Sequence, residues 1–173
     1  MQEKNYSIFI VDTDMNHANQ IKNHLANHRH YSFFLFATPE ECEAKLHLNP
    51  VLIFLDYELD PSKRQSSEIL KHLKTIAPNT EVVLFTGTES VEVIKDSMHH
   101  GAYDYYIKDY HAHLKAEYLI VQILHKLQLK EEILKQKKTI KLLFFIIAAI
   151  IVTAVIMHYT GFIKDKYIGG HMF

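Results

Sequence analysis

Short, uninterrupted apolar runs alternate along this chain with segments whose apolar residues recur every three or four positions. The first run, "YSIFIVD", stops abruptly at Asp12, Thr13 and Asp14. Runs of this kind, rich in β-branched and aromatic residues, predict β-strands. "YSFFLFAT", "VLIFLD", "EVVLFTG" and "AYDYYIK" predict four more. Between them, apolar residues repeat at Ala18, Ile21 and Leu25, then at Ile69, Leu73 and Ile76, and again at Val91, Ile94 and Met98. That spacing places each set on one face of a helix. "TPEECEAKLHL" carries the signals of a helix start, with Thr38 as N-cap, Pro39 in the first position and Glu41 completing a capping box. Gly101 stands where the helix beginning near Val91 would end. A loop around Asp60 and Pro61 and a turn at Pro78 and Asn79 punctuate the pattern.

"VLIFLD" is apolar at every position before its final Asp, as expected of a strand covered on both faces. Five strand–helix repeats predict an α/β fold built on a doubly wound, five-stranded parallel sheet. After Tyr110 no Pro or Gly occurs before Gly161, so one long helix is expected. Leu142 to Met157 holds no charged residue, and the uncharged stretch extends to Ile163, 22 residues in all. At about 1.5 Å per residue this crosses a hydrocarbon core roughly 30 Å thick. The pattern therefore predicts a folded domain over residues 1–127, a helical basic stalk over 128–141, a transmembrane helix over 142–163 and a short tail over 164–173. Leu124, Leu127 and Leu134 offer a near-heptad seam for a homodimer, which Glu131 and Lys138 interrupt.

Charge sharpens this division. Residues 1–125 hold 11 Lys/Arg against 17 Asp/Glu, a net of −6, whereas residues 126–173 hold 8 Lys against 3 acids, a net of +5. An acidic domain argues against nucleic acid as a partner. Lys130, Lys135, Lys137, Lys138 and Lys141 crowd the N-terminal side of the span, and only Lys164 and Lys166 follow it. Positive charge favours the cytoplasmic side, so a single-pass, C-terminally anchored membrane protein with its domain in the cytoplasm is expected. The N-terminal "MQEKNYSIFI" lacks the features of a signal peptide. The one cysteine, Cys42, excludes an internal disulfide, fits a reducing compartment and reads as a small buried apolar residue.

In a doubly wound sheet, ligands sit beyond the carboxyl ends of the strands. Asp12 and Asp14 follow the first strand, Asp56 the third, Thr86 the fourth and Lys108 the fifth. Carboxylates hold a hard divalent cation through oxygen. One of them can act as a nucleophile toward phosphorus, while a lysine and a hydroxyl contact the phosphoryl oxygens. Each residue alone has a bland reading: a cap, a β-residue, a solvated charge. Their joint placement at strand ends is what points to a site. The 13 histidines, with His24 and His28 four apart and His111 and His113 flanking Ala112, read as solvated surface residues. No Gly-rich phosphate loop precedes the membrane segment, where Gly87 and Gly101 are the only glycines.

"HGAYDYYIKD" is similar to the Gly-Ala-x-Asp-Tyr-x-x-Lys segment of two-component response regulator receivers. "VLIFLDYEL" resembles the strand that ends in their phosphoacceptor, and "VVLFTG" the strand that ends in their switch Ser/Thr. The resemblance covers residues 6 to about 127 and implies a flavodoxin-like receiver fold. It also implies a phosphoacceptor signalling domain rather than an enzyme. Asp56 would accept the phosphoryl group, Thr86 and Lys108 would contact it, and Tyr105 would be the aromatic switch. Asp12, Asp14 and Asp56 would hold Mg2+. A histidine kinase or phosphotransfer protein would be the donor, and an unidentified protein the downstream target of this single-domain, membrane-anchored receiver. Three departures stand out. Thr13 replaces an expected acid, which weakens Mg2+ binding; Asp109 replaces a proline; and the loop after Asp56, with Pro61 and Ser67, looks longer. One alternative is a degenerate receiver acting as a membrane-tethered interaction module without phosphorylation. A more remote one is a haloacid-dehalogenase-like phosphohydrolase, with Asp12 as nucleophile.

Overall fold

The computed structural model describes residues 5–25, 30–59, 66–87, 90–109 and 111–168, without side chains from residue 160 onward. The Asp60–Pro61 loop, His28, Tyr110 and the last residues of the expected tail lie outside the described residues. Five strands form: β1 (Tyr6–Val11), β2 (Tyr31–Phe36), β3 (Leu52–Asp56), β4 (Glu81–Thr86) and β5 (Asp104–Ile107). Five α-helices follow them in alternation: α1 (Met15–Leu25), α2 (Pro39–Ala44), α3 (Ser66–Ile76), α4 (Val91–His99) and α5 (Ala112–Ile168), with a 3-10 turn at Leu46–Leu48. The strands are parallel in the order β2-β1-β3-β4-β5. This is the expected doubly wound, flavodoxin-like sheet. The chain divides into two compact units, Met1–His125 and Lys126–Phe173.

Strand alternation builds a core on each side of the sheet. Phe9, Val11, Ile53, Leu55, Val82 and Leu84 face one side, where Ile69, Leu70 and Leu73 of α3 and Cys42 of α2 pack against them. The intervening residues Ile8, Ile10, Phe54, Val83 and Phe85 are equally buried. Burial pushes the Cys42 thiol up to about 12, with Glu43 adding to the shift, so it packs as an apolar group.

Several local expectations change in detail. The Glu41 carboxylate accepts from the Ala37 N–H at 3.0 Å, one residue before the Thr38 N–H that a capping box would use, while Thr38 Oγ1 accepts from the Glu41 N–H at 3.3 Å. Leu70 joins Ile69 and Leu73 in the core, and Ile76, in the last turn of α3, is 47% exposed. In α4, Val91 and Met98 are exposed and Ser97 is buried. The Ser97 hydroxyl donates to Val93 O at 2.7 Å, and its carbonyl accepts from Ala102 N–H at 3.0 Å. The turn into β5 therefore draws in the small residue rather than the apolar ones. α5 also runs through Gly161, where a glycine costs a helix only about 1 kcal/mol relative to alanine.

The unit Lys126–Phe173 is helical as far as Ile168. Among its described side chains Phe144, Phe145, Ile150, Val155 and Met157 are all exposed, as are the lysines before them. A helix apolar on every face belongs in the core of a large protein or across a membrane. The helix is long and apolar enough to cross a membrane.

Gly101 has φ +94°, and the nearest atom a Cβ there would meet is Lys74 Cγ, at an ordinary 3.5 Å. The cost of Gly101→Ala is therefore conformational: about 1 kcal/mol of stability lost. Urea unfolding measures it, and an unchanged midpoint contradicts the assignment.

Candidate functional site: a lysine between two buried carboxylates

The register of the sheet assembles the site. Val11 pairs with Leu55, so Asp12 and Asp56 come to the same level on neighbouring strands. Asp56 pairs with Phe85, which sets Thr86 one step further on, and Thr86 pairs with Ile107, which sets Lys108 one step beyond that. Backbone bonds carry the ladder past the strand ends: Asp12 N–H to Phe36 O at 3.0 Å, Tyr57 N–H to Phe85 O at 2.8 Å and Lys108 N–H to Thr86 O at 2.9 Å.

Asp12 is fully buried, Asp56 is 2% exposed and Thr86 is 1% exposed. Lys108 Nζ lies 2.8 Å from Asp56 Oδ2 and 3.8 Å from Asp12 Oδ1, over the Phe85 ring at 5.3 Å. Asp56 Oδ1 accepts from the Glu58 N–H at 2.9 Å. Asp12 Oδ1 accepts from the Asp14 N–H at 2.8 Å, and Asp12 Oδ2 pairs with His17 Nδ1 at 2.6 Å. Tyr105 is half-buried and packs against the α3-side core.

Asp14 takes a different place. It is exposed, and its Oδ1 accepts from Asn16 N–H at 2.9 Å and His17 N–H at 3.3 Å. It caps α1, and these bonds lead away from the Asp12–Lys108–Asp56 group. Thr13 is exposed as well.

The two carboxylates differ electrostatically. Burial pushes Asp56 above the usual carboxylate value and prevails over Lys108 and the Glu58 amide, with Asp12 adding to the rise. Burial acts in the same sense on Asp12, but His17, the Asp14 amide and Lys108 together hold it below that value. Tyr106, packed between Phe54 and Phe85, is raised by burial and by both carboxylates. Its hydroxyl meets no hydrogen-bond partner among the described residues.

Four features escape a reading of the sequence. His17 reaches Asp12 because the cap by Asp14 starts α1 at once, and the first turn swings the imidazole back over the strand end. The only signal was the five-residue spacing. Glu58 Oε1 accepts from the Gly87 N–H at 3.2 Å, and a Cβ at Gly87 would stand 2.8 Å from that oxygen. His24 and His113 are not separately solvated, since their rings lie 3.8 Å apart across α1 and α5. The hydroxyl of Tyr106 had no signal at all.

Asp12 and Asp56 supply oxygen donors of the kind a hard divalent cation takes, and they fit Mg2+ in type. They do so as a pair: among the described residues no three His, Cys, Asp or Glu side chains gather as a metal site. Asp56 is the carboxylate nearest both the ammonium and the end of β4.

Comparison with known proteins agrees with this geometry. A family model, the response regulator receiver domain, matches residues 8–118. No curated protein matches the sequence. Among solved structures, the signal receiver domain of a putative LuxO repressor protein from Vibrio parahaemolyticus has 18% identity and a TM-score of 0.67, covering 75% of this chain and 97% of that one. A two-component response regulator from Clostridium difficile has 25% identity and a TM-score of 0.62, covering 70% and 98%. A CheY-like response regulator receiver domain protein from Methanospirillum hungatei has 24% identity and a TM-score of 0.63, covering 72% and 98%.

The raised pKa of Asp56 has a thermodynamic sign. The ionised carboxylate is worse off in the folded state, so the wild type loses stability as pH rises through that folded value. Asp56→Asn lacks this loss and is expected to be the more stable protein near neutral pH. The gain shrinks as pH falls through the raised folded value, where the wild-type carboxyl takes up its own proton, toward the ordinary 3.8 of the unfolded chain. Urea unfolding at about pH 7 and about pH 4 tests this. An Asp56→Asn protein no more stable than wild type at the higher pH refutes it.

Proposed function

Because this chain belongs to the response regulator receiver domain family, we propose that it is a membrane-anchored receiver phosphorylated on Asp56. The observation that carries this reading is Lys108 Nζ at 2.8 Å from a buried Asp56 and 3.8 Å from a buried Asp12. The donor is a phosphohistidine on a histidine kinase or phosphotransfer protein. An Asp56 oxygen attacks phosphorus, the bond to the histidine nitrogen breaks, and the nitrogen keeps the electron pair. Lys108 releases part of its hold on Asp56 to the arriving phosphoryl oxygens, and the Thr86 hydroxyl donates to them. Asp12 and Asp56 would hold Mg2+, which offsets the charge of those oxygens. Asp14, engaged in the cap of α1, stands outside this set. As Thr86 moves toward the phosphoryl group, Tyr105 follows, and the surface beside β5 changes for a protein partner.

Receivers are signalling domains, and this one is read as working through protein contacts. The receiver extends over residues 1–127, the stalk over 128–141, the span over 142–163 and the tail over 164–173. The lysines before the span favour a cytoplasmic receiver. They also favour anionic headgroups, at about 1 kcal/mol for each residue near the surface.

A second reading is favoured by the exposed Thr13 and by the bond between His17 and Asp12. In it the chain is a degenerate receiver that keeps the interaction surface without the phosphoryl transfer.

Incubation with Mg2+ and a histidine-kinase or acyl-phosphate donor separates the two. A base-labile phosphoprotein is expected, and Asp56→Asn should abolish it. Label undiminished in Asp56→Asn sinks the assignment of the acceptor, while no label from any donor supports the degenerate receiver. Topology is a separate expectation: carbonate washing should leave the protein with the membranes, and external protease on intact cells should leave the receiver whole. Release by carbonate, or digestion of the receiver from outside, overturns the anchored cytoplasmic topology.

A further inference from the structure

We propose that His17 is a built-in competitor of the divalent cation for Asp12, and so sets how readily the pocket takes one up. The inference rests on the reading of Asp12 and Asp56 as the cation-holding pair. All four oxygens of that pair are engaged: Asp12 Oδ1 by the Asp14 amide, Asp12 Oδ2 by His17, Asp56 Oδ1 by the Glu58 amide and Asp56 Oδ2 by Lys108. A cation taken at Asp12 Oδ2 therefore meets an oxygen already bonded to His17 at 2.6 Å. Lys108 is shared between the two acids, whereas the 2.6 Å contact of His17 goes to Asp12.

His17 is held for this role. Its backbone N–H is fixed by Asp14 at 3.3 Å, and its ring lies edge-on to Phe85 with centroids 5.5 Å apart. An ionised carboxylate only accepts, so Nδ1 carries the hydrogen and donates. The nitrogen facing the pocket thus offers no lone pair to a metal, which makes the imidazole a rival rather than a ligand. There is also somewhere for it to go. His17 lines an open cavity of about 500 Å3 shared with His24, Asp109, His111 and His113. A ring displaced from Asp12 can turn into that space.

Calorimetric Mg2+ titration of the full-length, solubilised protein tests the proposal with wild type and His17→Leu, which keeps apolar bulk against Phe85. A hydrogen bond to a charged group is the one given up, so His17→Leu should bind Mg2+ roughly tenfold more tightly. In the wild type, the NMR signal of the His17 Nδ1–H should lose its hydrogen-bonded position as Mg2+ saturates. That arm stands even where the variant does not fold, and an unmoved signal at saturation overturns the proposal. Mg2+ binding of equal strength in both proteins overturns it while leaving the cation pair intact. Weaker binding by His17→Leu overturns it in favour of the imidazole as a ligand. No Mg2+ binding by either protein removes the cation pair itself, and the proposal with it.

Discussion

The contact on which this domain depends is one ammonium group held between two carboxylates almost wholly out of water. Buried unpaired charge is costly enough that Asp12 and Asp56 need a resident cation to share the end of the sheet. Lys108 meets both, and it can do so only because β1 and β3 are neighbours and the register steps one residue at a time from Asp12 and Asp56 to Thr86 and Lys108. The ammonium of the lysine lies over the ring of Phe85, a core residue. The apolar packing of the sheet and the charge arrangement at its edge are therefore one structure: a one-residue slip of β4 would turn Phe85 to the opposite face of the sheet, and a slip of β5 would carry Lys108 away from both acids.

One lysine does not serve the two acids equally. Asp56 remains above the ordinary carboxylate range although Lys108 is 2.8 Å away, and Asp12 falls below that range although Lys108 is 3.8 Å away. Burial dominates at Asp56, where the Asp12 charge adds to the rise, whereas at Asp12 the His17 bond joins the Asp14 amide and Lys108 against burial. The result is a division of roles. Asp12 is a settled anion, while Asp56 is the strained one, whose charge is eased by anything that neutralises or esterifies it. A carboxylate in that condition is the better placed of the two to gain a covalent partner.

Most of the fold was legible because parallel strands covered on both sides leave an unmistakable mark: "VLIFLD" and "VVLFT" have no polar position before their final Asp56 and Thr86. The strand-end residues were legible for the same reason, since the topology alone brings them together. The helix faces were less so. Val91, Ile94 and Met98 have good helical spacing, yet Ser97 is the buried residue of α4, because the turn at Gly101 fixes the helix by its last backbone bonds and not by its apolar side chains. Asp14 shows a similar limit. An Asp three residues past a strand serves equally well as a cation ligand or a helix cap, and the start of α1 at Met15 puts Asp14 in the cap position. That same position delivers His17 to Asp12, so an unread cap concealed an unread contact.

Thr13 and His17 then cease to be separate oddities. An acid in place of Thr13 would add a negative charge beside Asp12 in the sequence and raise the negative charge near that end of the sheet. With Thr13 neutral and exposed, two carboxylates face Lys108, and the His17 imidazole satisfies the oxygen of Asp12 that Lys108 does not reach. Both changes lower the need for a metal in the resting state. Losing the acid alone would leave Asp12 Oδ2 buried and poorly partnered. Adding the histidine alone would leave surplus carboxylate. Together they give an acid pocket in which each carboxylate oxygen already has a partner from the chain itself.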